Sequence, residues 1–145
     1  MTDLVEQLIT NPGLYTGPQA DPAAGPGEST SVARITVTPL PGGAGVAMAY
    51  EVLSAENGVV HNEHAVLART PRGLMLVTAH THADVATVLY ETEPGLFPAN
   101  DGEAPFPMAI RLEVPEPGRL VYSWSYGRPG EPLVVRDVGT VRVTS

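Results

Sequence analysis

From residue 31 to residue 143 apolar and polar positions alternate in short runs. The clearest places Met108, Ile110, Leu112 and Val114 against Ala109, Arg111 and Glu113. Leu120, Tyr122, Trp124 and Tyr126 likewise fall on one side of a two-residue repeat. A period of two marks a strand with one buried face. Runs over 31–40, 46–55, 59–69, 74–80, 83–91, 108–114, 120–127 and 133–143 are rich in Val, Thr, Tyr and Ile. Turn chemistry separates many of them: PGGAG, ENG, TPRG, EPGR and RPGEP. With no long helical pattern between them, an antiparallel sandwich or barrel is expected rather than a parallel α/β sheet.

The period differs only at the start. Asp3 followed by Glu6 resembles a capping box, Leu4, Leu8 and Ile9 recur at helical spacing, and Asn11-Pro12-Gly13 stops the helix. This predicts an N-terminal helix and cap over 1–12. Two stretches read as flexible loops, 18–30 (Pro/Gly/Ala) and 91–107. The second is acidic and carries Leu96, Phe97 and Phe106, which suits either a lid or portal or a plug at the end of the core.

The 145 residues suit a single domain with a sizeable core, and the absence of cysteine removes disulfides, thiolate metal sites and thiol nucleophiles. Net charge is −8, and all eight basic residues are scattered arginines. That leaves no electrostatic footprint for nucleic acid or an anionic membrane. No signal-like n-region opens the chain and no apolar run reaches the ~20 residues of a membrane span, so a cytoplasmic protein is expected. Hydrolysis and nucleotide binding lack their motifs: there is no G-x-S-x-G and no Gly-rich strand–helix turn.

All four histidines, His61, His64, His80 and His82, lie within residues 59–82. TPRG makes these residues a hairpin of two alternative registers. If Pro71 and Arg72 alone form the loop, Thr70 pairs with Gly73, His61 faces His82 and Glu63 faces His80. If Gly73 joins the loop in a bulge, Thr70 pairs with Leu74, His64 faces His80 and Asn62 faces His82. The second is preferred, because two-residue hairpins favour positive φ at both centres and proline cannot adopt it. It puts His64, His80 and His82 on one wall, suited to contact a ligand or water. A metal site is not expected; its weak candidates are His61, Glu63, His80 and His82, without the spacing of a specific motif.

Three collinear segments resemble the nitrobindin-like proteins, calycin-type barrels related in shape to fatty-acid-binding proteins. They are Gly13-Leu-Tyr15-Thr-Gly17, similar to an opening G-x-W-x-G; Gly58-Val-Val-His61-Asn-Glu63 with Leu67-Ala-Arg69 and Leu76-Val-Thr-Ala79-His80; and Tyr122-Ser123 with Gly130-Glu-Pro132-Leu133. The resemblance implies an up-and-down barrel of roughly ten strands with an apolar cavity. In the family that cavity holds haem b, used in nitric oxide and peroxynitrite chemistry, on a histidine shortly after G-x-P-L. Here that position is Arg136, which has no lone pair for iron. Tyr15 reads as an aromatic plug on which Arg142 could stack. Arg136 shares a strand face with Val134, Val138 and Thr140; turned inward it would need an anionic partner.

The expected function is binding of a small, largely apolar ligand in the barrel, with His64, His80, His82, Arg136, Tyr122 and Trp124 as candidate contacts. Alternatives are a haem protein with His64, His80 or His82 as substitute ligand, and a cavity isomerase or cyclase. The latter would use histidine or Glu63 as acid or base, with Tyr122 or Tyr126 assisting. No cofactor is required by the first reading; the partner is a small molecule, and a homodimer stays open.

Overall fold

The computed structural model describes residues 3–20, 31–99, 104 and 106–144. It is all-β apart from one short helix, α1 (Leu4–Thr10), and a 3-10 turn. Ten antiparallel strands follow: β1 (Gly13–Ala20), β2 (Ser31–Pro39), β3 (Gly45–Ser54), β4 (Gly58–Thr70), β5 (Gly73–His80), β6 (Thr87–Tyr90), β7 (Leu96–Pro98), β8 (Met108–Glu116), β9 (Arg119–Tyr126) and β10 (Val134–Val143). Their order is β6-β5-β4-β3-β2-β1-β10-β9-β8-β7. The first strand thus pairs with the last, and the sheet wraps into a nearly closed barrel whose seam lies between β6 and β7. The architecture agrees with the calycin-like expectation.

Alternation builds the core as the sequence predicts. Met108, Ile110 and Leu112 of β8, and Leu120, Tyr122 and Trp124 of β9, are buried. They meet Ile35, Met48, Leu67 and Leu76 from the other half of the barrel. At one end α1 acts as a lid, its Val5 and Leu8 fully buried. Asp3 caps it as expected, accepting the Glu6 amide at 2.7 Å. The same carboxylate holds the Arg69 guanidinium at 3.0 and 3.1 Å, and Arg69 also donates to the Gly43 carbonyl at 2.6 Å. The helix is therefore fastened to the barrel rim. Tyr15 is the buried aromatic plug beside it, donating to the Asn11 carbonyl at 2.5 Å.

Several expectations need correction. The 18–30 loop starts late, because Pro18, Gln19 and Ala20 belong to β1, while 21–30 lie outside the described residues. β1 has weak strand propensity. Gly17 allows it, since a Cβ there would stand 2.0 Å from the Thr140 carbonyl oxygen of β10. The 91–107 loop contains β7, which pairs with β8 and buries Phe97; residues 100–103 and 105 are outside the described set. The run at 83–91 is strand only from Thr87. Arg142 does not stack on Tyr15: it pairs across from Thr16 on the outer face and holds Glu116 at 2.7 Å.

Candidate functional site

The hairpin adopts the register that the turn rules disfavour. Thr70 pairs with Gly73, Leu67 with Leu76 and Glu63 with His80. Pro71 and Arg72 keep negative φ, while Gly73 takes φ +117°. The Thr70 hydroxyl accepts the Arg72 amide at 3.1 Å and donates to the Gly73 carbonyl at 2.8 Å, so a side chain closes the turn that backbone preference does not. Burial then fixes the register, because a one-residue slip would turn one strand's core residues outward. Glu63, Ala65 and Leu67 of β4 meet His80, Thr78 and Leu76 of β5, all buried.

The histidine wall is consequently His61, His80 and His82, not His64, His80 and His82. His64 is exposed, paired on the outer face with Ala79. The His61 ring stacks near His82 and His80, with centroids 5.2 and 5.9 Å away. His80 lies edge-on to Trp124 at 5.0 Å and to Phe106 at 6.3 Å. These rings line a cavity of about 620 Å³, completed by Tyr50, Gln19, Asp137 and Tyr126 among others. His82 is exposed where the cavity meets solvent.

Behind the histidines is a fully buried carboxylate. Glu63 accepts from four donors: His61 Nε2 at 2.9 Å and Trp124 Nε1 at 3.1 Å on one oxygen, Thr78 Oγ1 at 2.6 Å and the Tyr122 hydroxyl on the other. The indole can only donate, and saturation with donors is how a buried carboxylate is tolerated. Tyr122 is correspondingly locked. Burial and the Glu63 charge push its pKa well above the ordinary phenol value, so it holds its proton. Tyr50 is raised for the same reasons, burial first, and donates to Gln19 Oε1 at 2.5 Å. Gly139 makes room for this pair: a Cβ would stand 2.9 Å from each oxygen.

The two inner histidines use different ring nitrogens. His61 donates from Nε2 to Glu63, and its ring lines the cavity. His80 accepts the His82 backbone amide on Nδ1 at 3.2 Å, so its proton sits on Nε2. That Nε2 is buried and has no hydrogen-bond partner. Burial, partly opposed by Glu63 and reinforced by His61 and His82, lowers the His80 pKa below its ordinary value and favours this neutral form.

Arg136 sits elsewhere than the alternation implies. The β10 register shifts between Val135 and Asp137, so Val134 pairs with Tyr126 while Asp137 pairs with Trp124. Arg136 falls in the bulge, half-buried, its guanidinium 5.8 Å from the Tyr126 ring centre, and Asp137 lines the cavity in its place. Sequence reasoning missed Asp137, Tyr50, Gln19 and Thr78. Only the bulge signals Asp137, and no residue pattern announces it. The hub role of Glu63 was legible only as a carboxylate two positions from His61.

The four weak metal candidates do come together, but Glu63 is saturated with donors and His80 Nε2 is buried. Among the described residues no group of three His, Cys, Asp or Glu side chains is arranged to hold a metal ion. At the positions implied for haem, Arg136 has no lone pair, His64 is outside, and His82 stands at the exposed rim. Among the described residues no helix is long and apolar enough to cross a membrane. In comparison with known proteins, the chain matches no protein-family model and no curated protein.

Proposed function

We propose that the barrel binds a small, largely apolar molecule that carries one neutral hydrogen-bond acceptor, such as a ketone or amide carbonyl. The observation that carries this reading is the aromatic-lined cavity of about 620 Å³ with His80 in its wall. His80 Nε2 is buried without a partner, which costs stability, and a ligand carbonyl drawn into the wall would satisfy it. The aromatic lining of Trp124, Phe106 and Tyr126 supplies apolar contact for the rest of such a molecule. An anionic ligand is disfavoured: Asp137 lines the cavity, Glu63 lies behind it, and Arg136 is not in its lining. The nitrobindin-like resemblance supports a cavity barrel, with Arg136 standing where the family's haem histidine would be.

Trp124 is the sole tryptophan and lines the cavity, so its emission reports occupancy. Titration with 2-tetralone should change that emission saturably. Tetralin, the same bicycle without the carbonyl, should bind about tenfold more weakly, the value of roughly 1.4 kcal/mol. No saturable change with either compound would overturn the reading. Haemin should give no saturable Soret band at one equivalent; such a band would favour the haem alternative instead.

A further inference from the structure

The charge around the cavity is one-sided. Its lining carries the Asp137 carboxylate and, among the described residues, no arginine. The Glu63 carboxylate holds two lining residues, His61 and Trp124, from behind. The chain as a whole bears −8. The rings of Tyr50, Phe106, Trp124 and Tyr126 share the lining with Asp137. Aromatic faces carry partial negative charge, so rings and a carboxylate together attract an organic cation. We propose that the ligand carries a protonated amine besides its carbonyl acceptor, and that Asp137 is the counter-ion of that amine. The inference rests on the binding reading above and adds the charge of the molecule to it.

Register places these groups together. Beyond the β10 bulge Asp137 pairs with Trp124 of β9, and both line the cavity, where cross-strand neighbours stand about 5 Å apart. Gly139 follows two positions on, on the same face, and a Cβ there would stand 2.9 Å from the Tyr50 hydroxyl. Tyr50 thus reaches β10 beside Asp137. The Asp137 charge is also among the causes that raise the Tyr50 pKa, after burial and Glu63. Arg136, in the bulge itself, is outside the lining, with its guanidinium 5.8 Å from the Tyr126 ring centre. Trp124 and Tyr50, rather than the ring that Arg136 faces, are therefore the aromatic partners for the ligand's cation. Plain alternation would give the inward place to Arg136, and the cavity would then suit an anion. One extra residue in β10 reverses the sign of charge that the barrel accepts. The ligand class is small, largely apolar amines that also carry a carbonyl, such as amino ketones and amino amides.

The test compares bicycles of one shape, 2-aminotetralin, 2-tetralone and tetralin, by Trp124 emission on the full chain. At about pH 8 an alkylamine is protonated and an ordinary imidazole is neutral. 2-Aminotetralin should bind about tenfold more tightly than tetralin. Asp137→Asn keeps the shape and removes the charge, and it should lower the ratio of amine to ketone affinity about tenfold. Asp137→Ser serves in the same comparison if the first variant fails to fold. Amine binding no tighter than that of tetralin, beside tighter binding of 2-tetralone, overturns the inference and leaves the binding reading standing. An unchanged amine-to-ketone ratio in a folded Asp137 variant also overturns it. Absence of saturable binding by all of these compounds overturns both readings.

Discussion

The two ends of this barrel handle polar groups in opposite ways. On β4, Arg69 and His61 are eight positions apart, and they belong to different ends. At the helix-capped end the groups that fasten the cap pair within the protein: Asp3 with Glu6 and Arg69, Arg69 with Gly43, Tyr15 with Asn11. The space between is filled by Val5 and Leu8. At the open end Glu63 is equally well served, yet His80 Nε2 and Thr87 Oγ1 near it are buried without partners, and the rings enclose a cavity. One end is packed as a core; the other surrounds open space. Stability and binding should therefore separate by position.

The largest expected effect is at the closed end. Leu8→Ala removes a fully buried side chain and should cost about 2–5 kcal/mol in urea unfolding. The variant should still change Trp124 emission with 2-tetralone at near wild-type affinity. Loss of binding without loss of stability would mean that the two ends are not independent. Next comes Glu63→Gln, which keeps shape but turns an amide group toward two of four donors. Each buried donor left unsatisfied costs about 1–3 kcal/mol. Unlike Leu8→Ala, it should perturb binding and stability together. An unchanged urea midpoint would show that Glu63 is not the hub described.

The contrast between the ends also explains what could be read in advance. The closed end follows local rules: Asp3 before Leu4 and Leu8 is a capping pattern, and the Met108–Val114 alternation is a strand with a core face. Such features depend on neighbours a few residues away. The open end depends on register and on a bulge, which are long-range. Pro71-Arg72-Gly73 argued for the wrong register because the Thr70 hydroxyl, not the backbone, closes the turn. That error exchanged His61 for His64 on the inner wall. Asp137 takes the inward place that plain alternation gives Arg136 for a similar reason, since one extra residue in β10 reverses the alternation beyond it. On regular strands Trp124 and His80 line the cavity, whereas Tyr122 is buried behind it against Glu63.

At the closed end a smaller perturbation isolates the fastening of α1. Asp3→Ala removes the cap and the Arg69 partner and should cost about 0.5–2 kcal/mol. The Glu6 amide, and then Arg69, hold the Asp3 carboxyl below its usual pKa of 3.8. Its contribution is thus present above that value and lost as pH falls through the folded one. Wild type and variant should converge in melting temperature once pH falls below the folded value, where the carboxyl is protonated in both states. A constant gap down to that pH would assign the loss to packing instead.

The smallest effect belongs to the open end and runs over a different pH window. Burial lowers the folded pKa of His80 below 6.5, against the pull of Glu63 and with the push of His61 and His82. As pH falls, the unfolded chain takes up this proton first, so stability declines. The His80 contribution is complete above the unfolded pKa near 6.5 and disappears as pH drops through the folded value. His80→Phe removes that proton but keeps a ring against Trp124 and Phe106. Between pH 7 and pH 5 wild type should lose more melting temperature than the variant. Saturating 2-tetralone should raise the wild-type melting temperature at both pH values, because it binds only the folded state. No rise with ketone at either pH would separate the cavity from the ligand and undo the contrast between the two ends.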